Sequence, residues 1–256
     1  MKRKFGYLNY KFNMPKRKLQ LDRIYNMDCF EGMKMLPANS VNLIVTDPPY
    51  NLSDGGGGGS VNKIKKMKKS LDTLGTLRDG YDIRKFSEEV IRLQGKDICV
   101  YFWCNKKQIP EYLAIYVGEL KCKFDIICWH KRNALPTYSN KYLSDTEYCL
   151  YFHKGKGKTH PKGYEDAKTY FVGMINHKDK KIYNHPTIKP LEYIRTLIRN
   201  SSNENYVILD PFMGSGTTAI ACIREKRNYI GFELNKEYYD KACKRIKLEQ
   251  AQLTLF

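Results

Sequence analysis

The sequence predicts an open α/β sheet, on three observations. Short apolar runs of strand length recur along the chain, amphipathic helical stretches lie between them, and most runs stop at an acidic residue. Four runs read as buried parallel strands: residues 41–46 before Asp47, 98–103 before Cys104, 206–209 before Asp210 and 228–232 before Glu233. Periodicity alone does not separate such runs from buried helix, so their length and their polar or Gly/Pro-marked ends carry the reading. Residues 23–26 before Asp28 are a weaker fifth. Between the runs, Leu191, Ile194, Leu197 and Ile198 fall on one helical face, as do Tyr239, Ala242, Cys243 and Ile246. Strand, helix, strand is the signature of an open α/β sheet. Such sheets bind ligands beyond the carboxyl ends of their strands. Asp28, Asp47, Asp210 and Glu233 are therefore expected along one edge.

Two stretches break the alternation. Residues 53–80 hold five consecutive glycines, 55–59, then Ser60 and a lysine run. Such a segment cannot pack a core and reads as a mobile loop, native or an artificial linker. Residues 133–184 are rich in Lys, Tyr, Gly and His without a clear period and read as a loop-rich insertion.

Composition points to a polyanion. Lys plus Arg is 45 against 27 Asp plus Glu, a formal charge of +18. Residues 1–18 carry seven Lys/Arg and no acid, and further basic runs lie around Lys63–Lys69 and Lys154–Lys162. Basic patches interleaved with Tyr and Phe suit a phosphate backbone, although solvated lysine-rich faces produce the same pattern. The eight cysteines include no C-x-x-C pair, so neither a zinc ribbon nor a redox motif is expected, and no metal. Several sit in apolar runs and read as buried free thiols. No run reaches membrane-span length and no apolar stretch follows the basic start. A soluble, cytoplasmic chain is expected.

Two motifs carry chemistry. Residues 208–218 read Ile-Leu-Asp-Pro-Phe-Met-Gly-Ser-Gly-Thr-Thr, a strand turning through Gly214 and Gly216 into a helix. Glycine lets a ligand approach the backbone, and a helix start offers unpaired amides. Glu233, at the end of the next strand, suits the two hydroxyls of a ribose. A nucleoside cofactor fits this order; a tight turn with a capping Thr is the plainer possibility. The second motif is Asp47-Pro48-Pro49-Tyr50. Two prolines end the strand and fix the backbone. A carboxylate, a rigid carbonyl and an aromatic ring are then presented together. They match an exocyclic amino group: Asp47 and the Pro48 carbonyl each accept one hydrogen, and Tyr50 stacks on the base, worth about 1–3 kcal/mol. Alone, the same run also suits a strand terminator.

Together these motifs resemble the amino methyltransferases that act on adenine N6 or cytosine N4 in DNA. Residues 47–50 match their Asp/Asn/Ser-Pro-Pro-Tyr/Phe motif and residues 210–216 their Asp-Pro-Phe-x-Gly-x-Gly motif. The catalytic motif comes first, as in the permuted class usually called beta, and the likeness spans residues 24–245. It implies a Rossmann-like S-adenosylmethionine-dependent methyltransferase fold, circularly permuted in motif order. A mixed seven-stranded sheet and a loop-rich target-recognition insertion go with that fold. By the same resemblance, Asp28, Asp47, Asp210, Phe212, Gly214, Ser215, Gly216, Thr217, Thr218 and Glu233 hold the cofactor. Residues 185–190, His-Pro-Thr-Ile-Lys-Pro, resemble the segment beside the cofactor's methionine carboxylate, with Thr187 and Lys189 as contacts. The chain divides accordingly into a basic arm (1–20), a catalytic half (21–132), the insertion (133–184) and a cofactor half (185–256).

The implied reaction is direct methyl transfer from S-adenosylmethionine to adenine N6 of a base flipped out of duplex DNA. Cytosine N4 shares the motif; the Asp form leans to adenine. Cytosine C5 chemistry needs a Cys that usually follows a Pro, and no Pro-Cys pair occurs. RNA or protein methylation competes with this reading, as does a non-catalytic nucleotide- and DNA-binding module. Among residues reaching base edges, Arg132, Asn133, Tyr138, Asn140 and Lys141 are candidates. A homodimer and a cognate restriction endonuclease are the further partners the resemblance allows.

Overall fold

The structure is a computed structural model and describes residues 19–49, 81–134, 142–174 and 188–253. Residues 1–18, Tyr50, the 53–80 stretch, Tyr138, Asn140, Lys141, His185 and Thr187 lie outside the described residues.

The strands are β1 (Arg23–Tyr25), β2 (Leu43–Thr46), β3 (Cys99–Cys104), β4 (Lys123–Lys131), β5 (Thr146–His153), β6 (Tyr170–Gly173), β7 (Val207–Asp210) and β8 (Asn228–Phe232). The helices are α1 (Cys29–Met35), α2 (Ile83–Gln94), α3 (Ile109–Leu113, continuing as a π-helical segment Ala114–Glu119), α4 (Leu191–Ser201), α5 (Thr217–Arg224) and α6 (Lys236–Leu253). One sheet runs in the order β1-β8-β7-β2-β3-β5-β4-β6. β5 pairs antiparallel with both its neighbours, and every other pairing is parallel. All five expected strands appear, each within two residues of its expected bounds.

The central strands are mostly apolar because both faces are covered. Every residue of β2 and β3 is buried, as parallel strands between helical layers require. Alternate side chains feed two cores. Leu43, Val45, Tyr101 and Trp103 pack under α4, α5 and α6, with Ile194, Leu197, Ala219 and Ile246. Ile44, Val100 and Phe102 pack on the other face, with Met33, Phe86, Val90 and Tyr112 of α1, α2 and α3. Full burial of one such side chain contributes about 1.5–3 kcal/mol. The two apolar helical faces anticipated around Leu191–Ile198 and Tyr239–Ile246 are those that close the first core.

The sheet has eight strands, one more than the expected seven. The addition is β6, which extends the β4 edge in parallel register, Cys128 opposite Tyr170 and Lys131 opposite Gly173. It is short, Tyr170 and Val172 remain exposed, and its apolar Tyr-Phe-Val-Gly run falls inside the stretch read as a loop-rich insertion. β5 also falls inside the stretch read as loop-rich, yet it sits between β3 and β4 with Cys149–Phe152 buried. Lysine-rich flanks hide it, and its antiparallel direction breaks the strand–helix–strand rhythm. Among the described residues, no helix is long and apolar enough to cross a membrane.

Candidate active site

The parallel strands bring the marked acids to one edge. Asp28 follows β1, Asp47 follows β2, Asp210 ends β7 and Glu233 follows β8. β5 runs the other way, so its first residues, Thr146 and Glu147, reach that same edge.

Between β7 and α5 the chain turns through Gly214 (φ 52°) and Gly216 (φ 81°), the left-handed region where a Cβ is strained. A Cβ on Gly216 would also lie 3.2 Å from the Ala242 Cβ. The Gly214 N–H donates to Glu233 Oε2 (2.9 Å) and the Asn235 N–H to Oε1 (2.8 Å). Glu233 is thus held by backbone amides, while burial raises its carboxyl. Ser215 and Thr217 are buried and gripped from α6: Arg245 Nη1 donates to Ser215 O (3.1 Å) and Thr217 Oγ1 (3.0 Å). Phe212 leans on Phe86 and Tyr81, with ring centroids 5.7 and 5.5 Å apart. Asp28 caps α1, accepting from the amides of Phe30 (2.8 Å) and Glu31 (3.2 Å).

Asp210 is an internal brace. It is 4% exposed. Its Oδ1 accepts from Thr46 Oγ1 (2.7 Å) and the Phe212 amide (3.1 Å), and its Oδ2 from Thr218 Oγ1 (2.6 Å). Burial, outweighing these three donors, lifts its carboxyl from 3.8 to about 6. The brace ties the end of β2, one residue before Asp47, to the start of α5. Asp210 and Thr218 were expected to touch a cofactor; here they bond to each other.

The catalytic motif is buttressed from two sides. Pro48 is buried, and Gln108, also buried, donates from Nε2 to Pro49 O (3.0 Å) while accepting from the Asn105 amide (3.1 Å). On the other side the Lys189 ammonium lies 2.5 Å from Asp47 Oδ2 and 2.9 Å from Glu147 Oε2, 5.0 Å over the Trp103 ring. Lys131 lies 2.7 Å from Glu147 Oε1. Lys189, expected against a cofactor carboxylate, is thus placed between two carboxylates of the protein. Gln108, Lys131, Glu147 and Arg245 were not anticipated. Only Glu147 carried a usable signal, a charged residue in phase with the buried Cys149 and Tyr151. Arg132 and Asn133 follow β4 at the same edge, Arg132 exposed and its N–H donating to Gly173 O.

The chain as a whole is similar to known proteins. A family model described as DNA methylase, for N6 and N4 methyltransferases, matches residues 41–244. The Type II methyltransferase M2.LlaDCHI of Lactococcus lactis subsp. cremoris is 30% identical over 239 residues, 87% of this chain and 88% of that protein. The crystal structure of an M1.HpyAVI–SAM complex superposes with a TM-score of 0.62 at 29% identity, covering 88% of this chain and 98% of that one. The fold is also that of the PvuII DNA methyltransferase, cytosine-N4-specific, at a TM-score of 0.64 and 17% identity, covering 90% and 91% of the two chains. This chain belongs to the N6/N4 DNA methylase family.

Proposed function

We propose that this DNA methyltransferase transfers the methyl group to adenine N6 of a base flipped out of the duplex, with Asp47 and the Pro48 carbonyl as acceptors for the amino hydrogens. The observation that carries the reading is the junction of its two halves. Thr46, beside Asp47, is bonded at 2.7 Å to Asp210, which heads the glycine turn. The amino acceptor and the cofactor turn are thus parts of one braced unit.

The methyl donor is S-adenosylmethionine, whose sulfonium supplies an electrophilic methyl group. The residues fit it. Beside the internally braced Asp210 and the Lys189-paired Asp47, the edge carries Asp28 and Glu233, carboxylates suited to the amino and hydroxyl donors of a cofactor. Glu233 keeps acceptor capacity beyond its two amide bonds and takes the ribose. Asp28, which follows β1 and caps α1, takes the adenine amine, and Phe212 offers an apolar wall. Gly214, Ser215, Gly216 and Thr217 form the turn that the cofactor approaches, and by the family resemblance Thr187 is a further cofactor contact.

Catalysis is positioning and electrostatics. Accepting both amino hydrogens directs the nitrogen lone pair toward the methyl group, and Asp47 stabilises the positive charge that grows on nitrogen. One amino proton then leaves for water. Tyr50 stacks on the base. Residues 133–184 and the basic arm contact DNA, and a second copy or a cognate endonuclease are the partners to look for.

The test is methylation of duplex DNA with labelled cofactor, followed by mass spectrometry of the nucleosides. N6-methyladenine is expected. N4-methylcytosine would keep the mechanism and change the base. Asp47→Ala should bind the cofactor within about threefold of wild type and lose transfer by about a thousandfold or more, the scale of a lost transition-state acceptor. Wild-type turnover in that variant would remove Asp47 from the chemistry.

A further inference from the structure

The site edge holds a half-buried carboxylate that the transfer itself does not use. Glu147 opens β5, and pleat parity puts it on the sheet face of Cys149 and Tyr151. Those two share a core with Val45 and Trp103, the face on which Asp47 continues β2. Lys189 enters that face from just before α4. Its ammonium sits between Asp47 Oδ2 (2.5 Å) and Glu147 Oε2 (2.9 Å), with Trp103 beneath it. Lys131 closes the far end, 2.7 Å from Glu147 Oε1 and 5.5 Å over Trp129. Four charges of alternating sign thus form a row across β2, β3, β5 and β4, and each interior charge has two opposite neighbours. Burial alone would raise the Glu147 carboxyl, but the ammonium groups of Lys189 and Lys131 together hold it at about 2.

A lysine ammonium is a point charge on a flexible stem. Paired with Asp47 alone, it could swing about that carboxylate. A second anion in line, over a tryptophan floor, fixes it. We infer that Glu147 is a positioning residue for methyl transfer: through Lys189 it fixes the rotation of the Asp47 carboxylate that receives the base's amino group. The inference rests on the reading of Asp47 given above.

The experiment is single-turnover transfer from tritiated S-adenosylmethionine to duplex DNA, both saturating, for wild type, Glu147→Gln, Lys189→Gln, the double variant and Asp47→Ala. Glu147→Gln should slow transfer by about 10- to 100-fold, the scale of sub-ångström misplacement, with cofactor Kd within about threefold. The double variant should be no slower than the slower single one, because Glu147 acts through Lys189. Glu147→Asp, which keeps the charge, should recover part of the rate. If Glu147→Gln proves unfolded in a thermal melt, Glu147→Asp carries the test, since one lost methylene draws the carboxylate back from Lys189. A wild-type rate in whichever variant is folded overturns the inference, as do losses that multiply in the double variant. An active Asp47→Ala overturns the underlying reading as well; an inactive Asp47→Ala beside a fully active Glu147→Gln overturns this inference alone.

Discussion

Replacing Asp210 by Asn removes a buried charge while keeping the shape of the brace. The side chain is 4% exposed and accepts from Thr46, Thr218 and the Phe212 amide. Even so, burial holds its carboxyl at about 6 against an ordinary 3.8. A carboxyl raised by about 2 pH units disfavours its charged form by about 3 kcal/mol. The sign follows from proton linkage. The folded state holds the proton more tightly than the unfolded chain, so below 3.8 there is no cost. The cost grows as pH rises and is complete above about 6. Asn carries no charge at any of these pH values, and its amide can face the Thr218 hydroxyl, which then accepts. The stability of Asp210→Asn relative to wild type should therefore climb by about 1.4 kcal/mol between about pH 5 and pH 8, on the linkage relation. Loss of the Asp210 charge also relieves Glu233, which it pushes up, and that adds with the same sign. Urea unfolding of both proteins at three pH values and fixed ionic strength measures the difference, with the other titrating groups cancelling. A difference that stays flat, or that favours wild type as pH rises, would refute the argument that burial dominates this site.

Two further variants probe the supports of the two motifs. Gln108→Leu conserves volume but strips the Pro49 carbonyl and Asn105 amide of their partner. It should slow single-turnover transfer about tenfold through misplacement and leave cofactor affinity, read by calorimetry, within about threefold; an unchanged rate removes Gln108 from the positioning of the motif. Gly216→Ala forces a Cβ into φ 81° and to 3.2 Å from Ala242. It should lower stability by about 1–2 kcal/mol from backbone strain alone and reduce the thermal shift that S-adenosylmethionine gives. A full shift would mean that the turn's geometry does not govern binding.

What can be read in the sequence is what is local. Strands β2, β3, β7 and β8 announce themselves because both faces are buried, which makes their residues mostly apolar. The acids at the ends of β2, β7 and β8 follow because these parallel strands all end at one edge. The acids are legible one at a time; their mutual bonds are not. Thr46 and Asp210 are 164 residues apart in sequence, and nothing in either segment signals that they share a hydrogen bond. Lys189 and Asp47 are 142 apart. Gln108 lies on a turn between β3 and α3 and looks like any solvated loop glutamine until the fold carries Pro49 against it. Arg245 sits on α6 among other charged residues, and only helix packing turns it inward. β6 is apolar but only four residues long, and an edge strand half open to solvent does not show the two-sided burial of the central strands.

The reversed strand explains why the edge has an ion-pair row at all. Were β5 parallel to its neighbours, its carboxyl end would meet the site, and His153 would stand at that edge with Glu147 at the opposite one. Antiparallel pairing aligns Cys104 with Tyr148 and Trp103 with Cys149, so the chain enters β5 at the catalytic edge. Glu147 then lies level with the ends of β2 and β3, and its parity with Cys149 turns it to the α4 side. The same pairing sets Glu147 opposite Trp129 on β4, which brings Lys131, two residues on, to the same face and edge. Lys189 needs no strand of its own, because α4 covers that face and the chain must cross the row to enter the helix. A single change of strand direction thus gathers Lys131 and Glu147 beside Asp47, although Glu147 lies in a stretch whose sequence reads as loop-rich.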